Sequence, residues 1–313
     1  MTIRYTNLPN NRHRPFGEAH SVHDDELCSY RDTIINNFSI NDYYNKENSE
    51  EVKNEYFSVY KKWMFSTFPK IKGYEDFNEA CFTQGTTESF YQFYIRYRSH
   101  RRLRLAKGEY FFHQMMSRLW YPEGRFAWIE DEPITKDDVV LISVPFSDTG
   151  CVPEYLEDML CECDKLDVPV MIDLAYLNLA VDLEFDLSHP CIKYIVSSLS
   201  KVFPIELHRV GIRLQREKWE DQLYVINEPY YNYINILSCH LGLEMMKKFS
   251  ADYTYNKYRE KQIALCEAME LQVSDCVYFG IDHNNQYPQY NRGNNTNRLC
   301  FSRIWDGRMK LDV

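Results

Sequence analysis

The chain has 313 residues, 44% of them hydrophobic and 15% aromatic, with 36 basic and 46 acidic side chains and a formal net charge of -10. It is too apolar and too rich in rings for a disordered chain, and too acidic for nucleic acid to be its main partner, because phosphate binding rests on basic surface. Its longest clean apolar run, 139–146, is far short of the roughly 20 residues that span a bilayer.

Such a length holds one large or two modest domains around a full core. The opening MTIRYTNLPNNRHRPFG offers basic residues with no apolar stretch behind them, so no secretory signal is read and a cytoplasmic protein is expected. Ten cysteines without framework spacing point to free thiols in a reducing compartment. Cys161 and Cys163 alternate with Glu162 and Asp164, but no second Cys or His pair at zinc spacing accompanies them, and no metal site is expected.

In chain order, the first 40 residues are polar and irregular, with NLPNN and RPFG as turn signals, and read as an arm. Residues 49–65 mix charged and aromatic residues at helical spacing, closed by Pro69 and Gly73. The segment 86–97 places Phe90, Phe93, Tyr94 and Tyr97 on one stripe, a helix starting just after Gly85. The basic run 96–104 reads as a solvated or subunit-facing surface. Next come the apolar strand 139–144 and a helix opened by Pro153, with Leu156, Met159, Leu160 and Cys163 on one face. The strand 168–172 ends at Asp173, and 194–199 and 210–214 are further apolar runs. Strands apolar on both faces and separated by helices predict an α/β domain with a largely parallel sheet covered on both sides. Helices are expected over 231–249 and 254–271. The loop-rich 283–297 then leads into 298–304, completing a smaller α+β unit.

In such sheets ligands sit at the carboxyl ends of the strands. Gly85, Thr86 and Thr87 open a helix, where free N–H groups and hydroxyls hold a phosphate or simply form an N-cap. Asp173 ends a buried strand, either capping the next segment or facing a ligand. Ser198, Ser200 and Lys201 follow another strand, and with Arg209 they make an anion pocket with an amine beside it.

These segments resemble the fold-type I pyridoxal-phosphate (PLP) enzymes, in particular the class I/II aminotransferases. SSLSKVFPIELHRVGIRL is similar to the family's S-x-S-K-x-F-x(5)-R-x-G signature, which implies a Schiff-base lysine at Lys201, phosphate contacts from Ser198 and Arg209, and Gly211 in its expected place. VMIDLAY resembles the family's D-x-A-Y strand end, making Asp173 the partner of the pyridine nitrogen and Tyr176 the donor to the phenolic oxygen. TQGTTESF is similar to its T-x-G-x-x-E segment and assigns Gly85, Thr86 and Thr87 to the phosphate cup. In GEYFFH, Tyr110 falls where the family stacks a ring on the cofactor. NRLCFS resembles the C-terminal strand whose arginine, here Arg298, binds the substrate carboxylate. DYYNKENSEEVKNEYF is similar to the region where a tyrosine reaches the neighbouring subunit's phosphate, with Tyr44 ahead of Tyr43.

The resemblance implies an aminotransferase moving an amino group from an α-amino acid to a keto acid, working as a homodimer. Its large domain would span 46–228, with 1–45 and 229–313 forming an arm and a small domain. There are departures. Where the family has N-P-x-G this chain has Ser147-Asp148-Thr149-Gly150, so either Ser147 takes over a contact to the cofactor oxygen or Asp148 approaches the ring. Pro204 and Leu207 stand where glycines are usual. Two further readings stay open: another PLP reaction (decarboxylase, racemase, lyase or oxidase), and a non-catalytic binding protein on the same fold.

Overall fold

The computed structural model describes residues 15–121 and 124–308; the NLPNN turn lies outside the described residues. The first departure from expectation is in the arm, which contains a helix, α1 (Asp25–Asn37). The Asp24 carboxylate accepts the N–H groups of Glu26 and Leu27 at its start. Its stripe is faint because only Leu27 and Ile34 are buried, so periodicity hardly marks it. Helix α2 (Lys46–Phe65) begins earlier than its charge pattern indicates, because the Asn45 side chain caps Glu47 N–H.

After α2 come β1 (Ile71–Lys72), β2 (Glu79–Thr83), α3 (Thr86–Tyr97), β3 (Arg102–Leu105), α4 (Phe111–Trp120), β4 (Phe126–Trp128), β5 (Asp138–Ser143), α5 (Leu156–Leu166), β6 (Val170–Asp173), β7 (Phe185–Asp186), β8 (Ile192–Ser198) and β9 (Gly211–Gln215). The seven-stranded sheet has the order β2-β9-β8-β6-β5-β3-β4. Strand β9 runs against both neighbours, and the other pairings are parallel. The short β1 and β7 pair separately.

Side chains alternate across the sheet with the period of two that a strand imposes. Val140, Ile142, Ile172, Ile195 and Ile212 enter the larger core with α2 and α5, whereas Val139, Leu141, Met171, Tyr194 and Val196 meet Phe90, Phe93 and Tyr94 of α3 on the other face. Both faces are covered, which is why these strands carry no polar alternation.

The C-terminal part holds α6 (Gln222–Asn227), α7 (Ile236–Lys248), α8 (Tyr253–Ala268), the antiparallel strands β10 (Gln272–Val273), β11 (Phe279–Asp282) and β12 (Asn297–Cys300), and α9 (Ser302–Trp305). Helix α7 packs on α2. The arm is tied to this part: Cys300 N–H donates to Phe16 O at 2.9 Å, and the Phe16 ring meets Tyr290 and Phe301 edge-on. That tie brings residues 17–20 over the end of the central sheet.

The basic run is a solvated surface only in its first half, where Arg96, Arg98, Ser99 and His100 are exposed. Arg102 and Arg104 belong to β3, and Arg104 is fully buried. Arg104 Nη1 and Arg102 Nε each lie 2.7 Å from the buried Asp138 carboxylate, and Arg96 lies flat on the Trp219 ring at 3.4 Å. Burial alone would raise the Asp138 pKa, but hydrogen bonds from Arg102, Thr135 and Arg104 hold it below the usual range. Removing one partner of a buried pair strands the other charge. Arg104→Leu is therefore expected to cost about 3 kcal/mol in urea unfolding, and the double variant Arg104→Leu/Asp138→Leu should recover part of that loss.

Candidate active site

Strands β5, β6 and β8 end side by side at Ser143, Asp173 and Ser198, and a cavity of about 340 Å³ opens beyond these ends. Its wall brings together Thr86, Thr87, Tyr110, Ser147, Asp173, Tyr176, Ser198, Lys201, Arg209 and Arg298, residues scattered from 86 to 298 in the chain. Tyr44 is not among them; it is 79% exposed on the outer surface. The neighbouring Tyr43 donates to or accepts from His240 Nδ1 at 3.2 Å and stacks on Phe38.

At one end lies an anion cup. Gly85 precedes α3 with φ of +74°, a left-handed conformation that side chains resist, and a Cβ there would sit 2.4 Å from Arg209 Nη2. Arg209 also has a positive φ, of 56°, and Nη2 donates to Thr87 Oγ1 at 3.4 Å. A Cβ on Gly211 would lie 2.9 Å from the Gly85 Cα, so two backbones meet here as closely as glycine permits. The guanidinium, the threonine hydroxyls and the N-terminus of α3 converge on one spot, the arrangement that favours a bound phosphate or carboxylate. Ser198 Oγ is within 3.0 Å of both Ser200 Oγ and Val210 O.

The wall also carries an amine, Lys201, and a buried carboxyl, Asp173, while a second buried carboxyl, Glu109, is held by the lining residue Ser143. Lys201 Nζ donates to Ala19 O at 2.7 Å. Burial chiefly lowers its pKa, with Arg298 and Arg209 adding to the effect against Cys300 and Glu18. Asp173 is pushed up to about 8, first by burial and then by the charge of Glu109, against the Ala175 N–H and Lys201. Glu109 itself is fully buried, accepting Ser143 N–H at 2.8 Å, Ser143 Oγ–H at 2.6 Å and Tyr110 N–H at 2.6 Å, and burial raises its pKa too. The Tyr176 ring meets Phe279 edge-on at 5.2 Å, and burial raises its phenol.

At the far end Arg298 donates to Ser147 O at 2.7 Å and Gly17 O at 3.2 Å, its guanidinium over the Phe279 ring at 4.4 Å. Arg292, from the loop before β12, donates to Ser147 Oγ at 3.2 Å, and its Nε lies 3.7 Å from Asp148 Oδ1. Its pKa is pushed down to about 10 by burial and by Arg298, against Asp148. Asp148 also accepts from Thr296 Oγ1 at 3.0 Å. Ser147 thus lines the cavity, while Asp148 is turned towards Arg292 and Thr296. Sequence reading did not find Arg292, Glu109 or the arm residues Glu18, Ala19 and His20. Each sits outside any motif, although Glu109 directly precedes Tyr110. His20 is held down at about 4 by burial and then by Lys201.

Comparison with protein-family models gives no match, and neither does comparison with curated proteins. Solved structures do match. A probable N-succinyldiaminopimelate aminotransferase from Thermus thermophilus is 14% identical, with a TM-score of 0.63 over 95% of this chain and 93% of its own. An aminotransferase from Staphylococcus aureus is 12% identical, with a TM-score of 0.64 over 96% and 94%. An L-threonine-O-3-phosphate decarboxylase from Porphyromonas gingivalis is 12% identical, with a TM-score of 0.55 over 73% and 84%. The fold is that of the fold-type I aminotransferases, a mostly parallel sheet flanked by helices, as the sequence resemblance implied.

Two outcomes are expected. Gly85→Ala drives a methyl against Arg209 and should cut the affinity for inorganic phosphate at least tenfold by calorimetry, whereas Gly124→Ala, with open space around it, should not. In protein stripped of ligands, Asp173 has a folded pKa of about 8, above its ordinary 3.8. Its stabilising effect is complete below the ordinary value and is lost as pH rises through the folded one. Asp173→Asn should therefore match the parent near pH 4 and become progressively more stable than it towards pH 8, read from melting midpoints.

Proposed function

We propose that the protein is a PLP-dependent aminotransferase that moves an amino group from an α-amino acid to a keto acid, with Lys201 as the residue that carries the cofactor. The observation behind this reading is one cavity whose wall carries Lys201, the buried Asp173, and Arg209 with Thr86 and Thr87 of the anion cup. Those residues suit PLP: the cup matches a phosphate, the amine an aldehyde, and a buried carboxyl with a raised pKa a ring nitrogen that brings positive charge. When bound, PLP supplies an electron sink for the bonds at the amino acid's α-carbon.

The remaining work falls to the chain. Thr86, Thr87, Ser198 and Arg209 would hold the phosphate, and Tyr110 would pack on the ring. Asp173, ionised by an opposite charge beside it, keeps the ring nitrogen protonated. Lys201, its pKa lowered by burial, moves the proton at the α-carbon as general base and then acid. Tyr176 and Ser147, both in the cavity wall, would serve the cofactor's phenolic oxygen. Arg298 orients the substrate carboxylate. The reading includes a cytoplasmic homodimer in which the exposed Tyr44 reaches the phosphate of the neighbouring copy; the ten free thiols favour a reducing compartment.

A second reading, a different PLP reaction at the same lysine, is favoured by the Ser147–Asp148–Arg292 arrangement where the family keeps asparagine. Borohydride reduction of PLP-loaded protein followed by peptide mapping tests the shared core. A pyridoxyl group is expected on Lys201 and lost in Lys201→Ala; the label on another lysine overturns the assignment. Product analysis with amino donors then separates a keto acid from carbon dioxide, a racemised amino acid or peroxide.

A further inference from the structure

A second cluster of chemistry-bearing side chains lies away from the cavity, where α5 meets the loop leading into β8. Glu157 and Cys161 are one helical turn apart on α5, and His189 of the loop reaches both. The three donor atoms lie within 4.8 Å of one another. Cys163, by contrast, points into the core and takes no part.

The imidazole is fixed by its other nitrogen. His189 Nδ1 lies 2.5 Å from Asp164 Oδ2, and Asp164 is itself held by Cys191 N–H on Oδ1 at 2.7 Å. With Nδ1 turned to Asp164, Nε2 is aimed towards Glu157 Oε1 at 3.3 Å. A carboxylate behind a histidine, setting its tautomer and aiming its lone pair, is the usual support of a metal ligand.

The two separations from Glu157 Oε1 are those a zinc ion would set, and the third, between Cys161 and His189, is within 4.8 Å. Zinc bonds of about 2.0–2.1 Å to nitrogen, 2.3 Å to sulfur and 2.0–2.2 Å to oxygen, at tetrahedral angles, separate nitrogen from oxygen by about 3.4 Å and sulfur from oxygen by about 3.6 Å. The observed separations are 3.3 Å for His189 Nε2 to Glu157 Oε1 and 3.7 Å for Cys161 Sγ to Glu157 Oε1. A thiolate, an imidazole and a carboxylate form a borderline-soft donor set that balances the charge of a divalent ion and suits zinc over magnesium or calcium.

We propose that Glu157, Cys161 and His189 bind one Zn²⁺ ion, with Asp164 orienting His189 and a water in the fourth position. The site is independent of the reading of the cavity. Its ligands stand before the first residue of β8, whereas Lys201 follows the last, so the ion clamps α5 to the 187–191 loop and takes no part at the amine.

The test uses full-length protein, freed of metal by a chelator and kept reduced without thiols, and titrates it with Co²⁺. One equivalent should bind with a thiolate-to-cobalt charge-transfer band in the near ultraviolet, and Zn²⁺ should displace it. Cys161→Ser should remove the band, His189→Gln should abolish stoichiometric binding, and Asp164→Asn should weaken it about 10–100-fold. All three positions are at least partly exposed, and circular dichroism checks that each variant is folded. A band that persists in Cys161→Ser, or no saturable binding in the parent, overturns the proposal.

Discussion

The site depends on a near collision. Gly85 at the start of α3 and Gly211 at the start of β9 approach until a Cβ on either would overlap the other's backbone or the Arg209 guanidinium. Strand β9 is antiparallel to both neighbours, so the chain reaches its first residue on the same edge of the sheet where β8 ends at Ser198. Arg209 takes a left-handed turn just before β9 and lays its guanidinium across Gly85. From this contact follow the position of the anion cup and the orientation of the positive end of α3.

Around that point the cavity wall, and Glu109 behind Ser143, carry ionisable groups that water would otherwise solvate. Asp173, Glu109, Lys201 and Arg292 all have pKa values shifted towards their neutral forms, chiefly by burial. No single ion pair offsets the set. Glu109 is stabilised by two N–H groups and a hydroxyl, Arg292 by a long contact to Asp148, and Asp173 by one backbone N–H. An environment of this kind favours a ligand that brings its own complementary charges, and perturbed buried groups of both signs in one cleft are what a reactive site requires.

Much of this was legible in the chain itself, and the failures have physical causes. The stripe of Phe90, Phe93, Tyr94 and Tyr97 fixed α3 to the residue, because four rings on one face admit one period. The apolar runs located β5, β6, β8 and β9 within a residue or two. Strand β3 was hidden, since its alternate positions are arginines whose charge is neutralised by Asp138, a partner far along the chain. Helix α1 was hidden because it buries so little. Arg292 was invisible for a similar reason: it lies in a loop of asparagines with no periodicity, and only the fold of β11 onto β12 carries it to Ser147.

By itself the sequence determined the α/β class and the strands that end at the cavity, because these rest on local periodicity; Lys201, Asp173 and Arg209 stood out as candidates because they follow those strands in short motifs. The tertiary structure alone decided which of the Ser147–Gly150 residues faces the cavity, that the arm lies over Lys201, and that Cys161 has a histidine for a neighbour. Each of those is a contact between distant segments. Such contacts are set by how the sheet, the loops and the helices close on one another, and no spacing within the chain encodes them.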